Sequence, residues 1–434
     1  MRPRHLVLLS LPLLVLGALL QPAWAAAGPV VRTTLTKSPA VPAGSRVRVE
    51  NLAGHMTVTP GNQFQVIATV VAGGKDQAAA EALAKRVKLS VSNENGQVSV
   101  HVNYPVDRYD TYSYVPHNAE NREHSGDNHC ILFFCFSGGE TGLRYQGERV
   151  RVYSGNRGVP LHVNVAVTLP AGTAGEFSNY VGLVSAADLR SDVKLASASG
   201  DLHAGQIQGV VSAKTGSGDV RISSHTGSLF ASTGSGDVRI EKSSGDLKVS
   251  TGSGDVILNQ AQHGRAKIET GSGDVNATDV ALALEASTGS GDVVVSDLTG
   301  SGDFSTGSGD ISIKRAATFQ LKAGTGSGDI TIHALTATGT VDLGTGSGEV
   351  SVRGDLSGVT RLVAKTGSGD IVIHTTTIPS LHIVADSDSG EVHVNLPGMQ
   401  NITVKRGYLR ADVNGAKGSA NLETGSGDIT VSQE

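Results

Sequence analysis

The stretch that decides the fold is residues 233–258, TGSGDVRIEKSSGDLKVSTGSGDVIL. The same phrase, Thr-Gly-Ser-Gly-Asp followed by an apolar residue, opens it and recurs near its end. In the 434-residue chain the phrase starts at residues 215, 233, 251, 270, 288, 299, 306, 325, 366 and 424, with a copy ending in Glu at 345. A pentapeptide that recurs in this way is typical of a repeat architecture.

The acidic residues of these turns keep a nearly constant period, with steps of 18 to 21 residues along the main series. They are Asp219, Asp237, Asp255, Asp274, Asp292, Asp310, Asp329, Glu349, Asp370 and Glu391, and Asp428 ends the last copy. Short alternating segments follow and precede the phrase, for example Val238–Ile240 and Leu247–Val249. Because alternating β-branched residues are typical of half-buried strands, one repeat is predicted to be strand, tight turn, strand and looser turn.

A unit of this length buries its apolar face only when it stacks on its neighbours. We therefore predict an all-β fold, a right-handed parallel β-solenoid of about 18–21 residues per coil over residues 181–434. Residues 26–180 are less regular, and they are predicted to form a β-rich capping domain with one helix over residues 76–86. Asn51–Val58 resembles a degenerate copy of the repeat, so the solenoid is expected to begin there and to resume near Val165.

The turn phrase has two interpretations. Glycine tolerates positive φ, and Thr, Ser and Asp side chains can satisfy free backbone groups, so the acids are predicted to be structural. The alternative is that the stacked carboxylates bind Ca²⁺. The known calcium repeat is Gly-Gly-x-Gly-x-Asp on nine residues, whereas here Asp directly follows the second Gly on a period twice as long. The structural interpretation is preferred, and no metal or cofactor is predicted.

Residues 1–25 are predicted to be a signal peptide. Arg2 and Arg4 precede the apolar stretch 6–20, and Ala23-Trp24-Ala25 supplies a small-x-small cleavage pattern. No later stretch approaches the length of a membrane-spanning helix, so an exported protein without a membrane span is expected, periplasmic or secreted to the cell surface. Since disulfides persist outside the cytoplasm, the only two cysteines, Cys130 and Cys135, are predicted to pair.

The segment 105–148 interrupts the capping domain and is unusually aromatic. It is interpreted either as a recognition surface or as a loop that folds back and packs on the predicted solenoid. A metal site of His117, His124, His129 and Cys130 is the weakest alternative, because the spacing fits no tight zinc pattern. The candidate binding residues are Tyr109, Tyr112, Tyr114, Phe133, Phe134 and Phe136.

Charge excludes a broadly basic nucleic-acid binder, because 35 Lys and Arg face 40 Asp and Glu. Residues 199–434 contain 17 basic and 26 acidic residues, a net charge of −9. This acidic part is expected to be repelled by anionic polymers, so no nucleic-acid partner is predicted.

Several motifs together resemble the bacterial putative-adhesin family of exported β-strand repeat proteins. They are the Val-x-Val-x-Asn-Leu-x-Gly unit at 47–54, the helix, residues 165–172 and the Ser-Gly-Asp coils. The resemblance covers most of the mature chain, and it implies an exported β-solenoid without an established enzymatic activity. It supplies no catalytic residues, and the aromatic segment lies outside the common pattern.

Three functions compete. The first is a non-enzymatic envelope or surface protein, with an adhesin-like or scaffold role, that binds an envelope polymer, a carbohydrate or a protein. The second is a structural element that self-associates through its C-terminal coil, where strand 422–431 stops without a polar cap. The third, a polysaccharide-acting β-helix enzyme, is disfavoured because no acidic pair departs from the repeat pattern. We expect no catalytic residues and no enzyme activity.

Overall fold

The computed structural model describes residues 28–114, 130–131, 134–135, 140–155 and 157–434, with the backbone alone at 130–131 and 134–135. The predicted signal peptide lies outside these residues. Apart from its turns and loops, the described part is strand, with one helix of eight residues. An all-β chain with a single helix was the prediction, and this coarse description is confirmed.

The first 13 elements form the N-terminal region. They are β1 (Val30–Lys37), β2 (Arg46–Ala53), β3 (Met56–Pro60), β4 (Gln65–Gly73), α1 (Gln77–Ala84), β5 (Lys88–Glu94), β6 (Gln97–Asn103), β7 (Thr111–Ser113), β8 (Cys130–Ile131), β9 (Phe134–Cys135), β10 (Glu140–Tyr145), β11 (Glu148–Tyr153) and β12 (Val159–Leu169). The helix starts where the sequence predicts, because the Asp76 side chain caps it by accepting a hydrogen bond from the Ala79 N–H at 2.8 Å.

The repeats form the remaining strands, most of them short. They are β13 (Gly175–Val181), β14 (Val184–Ala187), β15 (Val193–Ala196), β16 (Leu202–Gly205), β17 (Ile207–Gln208), β18 (Val211–Lys214), β19 (Val220–Ile222), β20 (His225–Thr226), β21 (Leu229–Thr233), β22 (Val238–Ile240), β23 (Ser243–Ser244), β24 (Leu247–Thr251), β25 (Val256–Thr270), β26 (Val275–Thr288), β27 (Val293–Thr299), β28 (Gly302–Thr306), β29 (Ile311–Ile313), β30 (Ala316–Thr325), β31 (Ile330–Thr345), β32 (Val350–Asp355), β33 (Arg361–Thr366), β34 (Ile371–Thr375), β35 (Leu381–Ser387), β36 (Val392–Asn395), β37 (Met399–Lys405), β38 (Tyr408–Val413), β39 (Gly418–Thr424) and β40 (Ile429–Gln433).

The repeats pair in parallel, each with the next, in three stacks of strands. The first stack begins β13–β15–β18–β21–β24, the second β14–β16–β19–β22, and the third β17–β20–β23. Each residue lies opposite the equivalent residue of the next repeat, as Val193 opposite Val211 and Val341 opposite Leu362. Long strands such as β25 and β31 pass through more than one stack.

Inward-facing residues form apolar ladders through the stacks. Val220, Val238 and Val256 are fully buried in the second stack, while the residue between each strand's two inward positions is partly or fully exposed. Burial of such aliphatic ladders contributes about 25 cal/mol per Å² of apolar area, and it is the main force holding one repeat on the next. The alternation read from the sequence therefore determines which face is core.

The stack begins within the N-terminal region, as the degenerate repeat at Asn51–Val58 predicts. Strand β2 pairs in parallel with β13, with Val49 opposite Phe177, and β3 pairs in parallel with β14. Strand β12 then runs parallel to β3, and antiparallel strands close this end: β5 lies beside β6, β4 beside β12, and β1 beside β4. Helix α1 packs against β1 and β4. The helix thus covers the β1 edge of this end, whereas β5 is mostly exposed.

The C-terminal end departs from the prediction, because the spatial order of the last repeats differs from their order along the chain. Strand β39 lies between β33 and β35, and β40 lies between β34 and β36. The segment 376–417 therefore forms the outermost layer, and the chain returns beneath it. The open strand edge on which self-association through the C-terminal coil was predicted is absent, since β39 and β40 are paired on both sides.

The hairpin β37–β38, called here the terminal hairpin (residues 399–413), extends the first stack beyond the last repeat. Strand β38 pairs antiparallel with β35, and β37 pairs antiparallel with β38. A bulge with Asn401 at a φ of 51° lies in β37. In the part of the chain that the structure describes, β37 has no second strand neighbour.

Candidate binding surfaces

The tight turns use their polar side chains to join one repeat to the next. In one such turn the Thr251 hydroxyl donates to the Gly236 carbonyl at 3.0 Å and accepts from the Gly254 N–H at 3.1 Å. The following carboxylate, on Asp255, accepts the backbone N–H of Asp274 at 2.8 Å. The same three bonds recur, with distances of 2.8 to 3.3 Å, in the turns that begin at Thr215, Thr233, Thr270, Thr288, Thr306 and Thr325.

The glycines of these turns have a different role from the one expected. Neither glycine of the tight turn has a positive φ; positive values occur in the looser turns, as at Gly227 and Gly245. A Cβ on Gly273 would instead lie 1.9 Å from the Gly254 carbonyl oxygen. The tight turns need glycine because consecutive turns stack backbone on backbone, and the expectation of a reversal at positive φ is wrong for them.

The acids of the first turns are partly buried. Burial raises the pKa of Asp201 and of Asp219, and the N–H that each carboxylate accepts from the next turn opposes that rise. The order of the turn acids along the stack differs from their order along the chain. Asp428 lies between Asp370 and Glu391, because it donates its N–H to the Asp370 carboxylate and its own carboxylate accepts the N–H of Glu391. In the residues that the structure describes, no three His, Cys, Asp or Glu side chains form a group that could hold a metal ion.

Most tyrosines of the aromatic segment that are described belong to the core. Tyr112 and Tyr114 are 0% and 3% exposed, and burial raises the pKa of both phenols. Tyr104 meets Tyr112 edge to face at 5.5 Å, and it meets Tyr145 at 5.9 Å. Tyr114 meets His162 edge to face at 5.1 Å. Burial and these contacts favour packing over recognition for Tyr112 and Tyr114. Tyr109 is half-buried against the same cluster, and the side chains of Phe133, Phe134 and Phe136 lie outside the described residues.

Two buried asparagines anchor the start of the stack. Asn51 donates to the Val163 carbonyl and to the Asn179 side chain, each at 2.8 Å, and Asn179 donates to the Gly54 carbonyl at 2.6 Å. Both are fully buried. Because every such bond is internal, this cluster stabilises the junction between β2 and β13 and does not form a reaction centre.

The repeat faces also present exposed groups. Phe319 and Phe230 are 62% and 45% exposed, and the sequence analysis did not single them out. A shallow groove of about 210 Å³ is lined in part by Arg265, Glu285 and Asp303. These side chains offer hydrogen bonds to a polar ligand.

The terminal hairpin carries apolar and basic residues that sequence reasoning missed. Ile402 and Val404 are 53% and 66% exposed, and Lys405 and Arg406 follow directly. Within the described ranges neither Lys405 nor Arg406 is in an ion pair. Most of the ion pairs that are present join residues of the repeats. The alternation of Ile402 and Val404 was visible in the sequence, but only the spatial order places it at an open edge.

No described helix is long and apolar enough to cross a membrane. A comparison with curated proteins found no match. Among solved structures, similar chains include a putative adhesin from Parabacteroides distasonis (12% identity, 70% of this chain and 97% of that one, TM-score 0.32) and a putative adhesin from Bacteroides fragilis (13%, 70% and 96%, TM-score 0.28). A putative cell adhesion protein from Clostridium sporogenes is 8% identical over 94% of this chain and 100% of that one, with a TM-score of 0.17. TM-scores this low do not establish a shared fold.

A family model gives the firmer result. The Toastrack DUF4097 family model matches the chain twice, over residues 161–300 and 303–434. The two matches together include more than half of the chain and nearly all of its repeats. The chain therefore belongs to the Toastrack DUF4097 family, in agreement with the adhesin-like repeat family expected from its sequence.

Proposed function

We propose that the protein is an exported, non-enzymatic rod that binds a partner at the cell envelope, in an adhesin-like or scaffold role. In this proposal residues 1–25 direct export to the periplasm or the cell surface and are removed. Residues 26–180 cap the rod, and residues 181–434 form a right-handed solenoid with one coil per 18–21-residue repeat.

The observation that carries the proposal is the internal use of the turn side chains. The Thr hydroxyls and Asp carboxylates that dominate the repeats hold one turn on the next, as Thr251 and Asp255 do. Residues used in this way build a stiff support for exposed faces. A polysaccharide-acting enzyme of this architecture would instead need a pair of carboxylates that are not used in the turn hydrogen bonds. A long, regular surface suits binding to an extended partner.

The test is co-sedimentation of the mature chain, residues 26–434, with purified peptidoglycan, anionic wall polymer and envelope polysaccharide. A matched variant replaces residues 116–138 by a Gly-Ser linker of equal length. It keeps Tyr112 and Tyr145, since both are buried and their loss would unfold the cap. Saturable binding supports the role, and loss in the variant would assign recognition to the aromatic segment. No binding to any of the polymers would reject a polymer partner, and turnover of the polysaccharide would reject the non-enzymatic role.

We also propose the Cys130–Cys135 disulfide. The two residues lie directly opposite each other in the antiparallel pair β8–β9. Directly opposite residues of such a pair have Cα atoms about 4.5–5.5 Å apart, and this spacing lies within the disulfide range. Intact mass after alkylation, with and without reduction, tests the bond: alkylation of both cysteines before reduction would disprove it.

A further inference from the structure

The two ends of the stack are closed differently, and the difference points to a docking edge. At the N-terminal end, α1 packs against the edge strand β1, and the pattern of β1 is half-buried at alternate positions. At the C-terminal end, β37 is exposed at every position except its first, which is half-buried. Exposed edges are usually blunted by a cover, a charge or a bulge. Here the bulge at Asn401 leaves the following residues, 402–405, extended.

Three features coincide on residues 402–406. The strand pairs on one side only, within the described residues, so backbone N–H and C=O groups on its other side lack a strand partner. Ile402 and Val404 are both largely exposed and two residues apart, the spacing of one strand face. Lys405 and Arg406 add positive charge at the end of the strand.

The charge around this edge selects the partner. The terminal hairpin has three basic residues and one acidic residue, in a repeat region with a net charge of −9. The one acid, Asp412, is engaged: it accepts hydrogen bonds from Asn401 and His382, which together lower its pKa. The hairpin thus has a net charge of +2 on an acidic protein, although Asp386 and Asp388 of the neighbouring segment lie beside its turn at Gly407. A second copy of this hairpin is disfavoured, since it would bring like charges together.

We infer that β37 binds an extended acidic peptide segment of another protein, which adds to the sheet as a further strand. In such β-augmentation the main-chain hydrogen bonds of the free edge supply affinity, and alternate side chains supply specificity. Ile402 and Val404 contact apolar residues on one face of the incoming strand, and Lys405 and Arg406 pair with its carboxylates. The inference rests on the proposed binding role and names one site and one partner class for it.

The experiment uses the mature full-length chain and labelled hexapeptides, followed by fluorescence anisotropy. The probe peptide alternates Glu and Val. One control alternates Lys and Val, which reverses the charge, and another is the Glu-Val peptide N-methylated at every backbone amide, which keeps the side chains and the charge but cannot donate ladder hydrogen bonds. Vesicles of phosphatidylglycerol serve as an anionic surface without a strand.

Binding of the Glu-Val peptide alone is the expected result. The double substitutions Ile402→Ser with Val404→Ser, and Lys405→Glu with Arg406→Glu, should each weaken it by about tenfold or more. Val30→Ser and Val91→Ser are matched controls, because both valines are exposed on two other edge strands, β1 and β5. These controls should bind as the unaltered chain does.

Several outcomes would overturn the inference. They are no binding of the Glu-Val peptide, equal binding of the N-methylated peptide, unchanged binding by both double variants, and binding to vesicles without binding to the peptide. The last outcome would make the edge a membrane contact. Co-sedimentation with envelope polymers is measured on the same variants, so failure of this site and failure of the general binding role are separate results.

Discussion

The tight turns of the repeats and the terminal hairpin use their polar groups in opposite ways. In a tight turn, Thr and Asp side chains bond to the backbone of the neighbouring turn, and glycines allow the turns to stack in contact. In the hairpin, β37 leaves a backbone edge, two aliphatic side chains and two cations facing solvent. The comparison teaches that the conspicuous motif of this sequence maintains the fold, while an inconspicuous segment near its end leaves groups available for contact.

The largest expected effect is from a methyl group in a tight turn. Gly273→Ala places a Cβ 1.9 Å from the Gly254 carbonyl oxygen, so the variant should lose about 3 kcal/mol or more of unfolding free energy. Gly344→Ala is the control, because its Cβ would meet nothing closer than 4.0 Å. Urea unfolding followed by circular dichroism measures both. Equal stability of the two variants would show that turn stacking is not the constraint.

The next effect is from the turn hydroxyl. Thr251→Val keeps the side-chain shape but leaves the Gly236 carbonyl and the Gly254 N–H without their partner, at a cost of about 1–3 kcal/mol. The exposed Thr336→Val, in β31, is the control and should change stability little. Equal losses of stability in the two variants would mean that the hydroxyl ladder contributes nothing beyond strand propensity.

These turns also mark how far sequence reasoning reaches. Period, burial alternation, the helix at residues 77–84 and the parallel register follow from local patterns, because each repeat contacts its neighbour in the same way. The return of β39 and β40 beneath β35 and β36 does not, since any repeat can pair with any other at a similar spacing. The close Thr-Gly-Ser-Gly-Asp match of residues 424–428 is the only hint, as it lies inside the stack while the looser Ser387 turn is outermost.

The candidate binding surface was harder to predict for the same reason. Tyr112 and Tyr114 are in a polar, aromatic-rich segment, and composition cannot distinguish a recognition loop from one whose rings pack on Tyr104 and Tyr145. Exposure of Val404 depends on a strand order that sequence does not encode locally. Core positions recur in every repeat and can be read from the sequence pattern, whereas an edge strand depends on the spatial order of the repeats.

A smaller effect is expected from a polar group inside the stack. His225 is 2% exposed, with Nε2 2.9 Å from the Gly209 carbonyl, and burial lowers its pKa. The unfolded chain therefore takes up a proton at a higher pH than the folded chain does. Stability should be full above the ordinary histidine pKa of about 6.5 and should fall as pH drops below it, by up to about 1.4 kcal/mol per pH unit.

Urea unfolding of the unaltered chain and of His225→Gln, from neutral to mildly acidic pH, measures this dependence. The slope should be smaller in His225→Gln, whereas His333→Gln, at an exposed position of β31, should keep it. An unchanged slope in His225→Gln would assign the pH dependence to other groups.

A smaller change still is expected in the terminal hairpin. Ile402→Ser with Val404→Ser should alter unfolding free energy by no more than about 0.5 kcal/mol per site, because both side chains are largely exposed. Thermal unfolding by calorimetry measures this change, with Leu409→Ser, at a buried position of the same hairpin, as the contrast. A loss comparable to that of Leu409→Ser would show that β37 supports the fold and would remove the distinction drawn between the turns and the hairpin.

The smallest expected effect is that of calcium on the turns. Calcium takes six to eight oxygen ligands, whereas a turn acid such as Asp292 already gives one carboxylate oxygen to the N–H of Asp310 at 2.8 Å. The melting temperature in millimolar calcium should therefore equal that in millimolar magnesium. The Asp292→Asn variant should also show the same melting temperature in both ions, since its amide oxygen still accepts that N–H. A rise with calcium alone, lost in Asp292→Asn, would mean that the ladder is completed by an ion and that the turns, like the hairpin, leave groups free for a ligand.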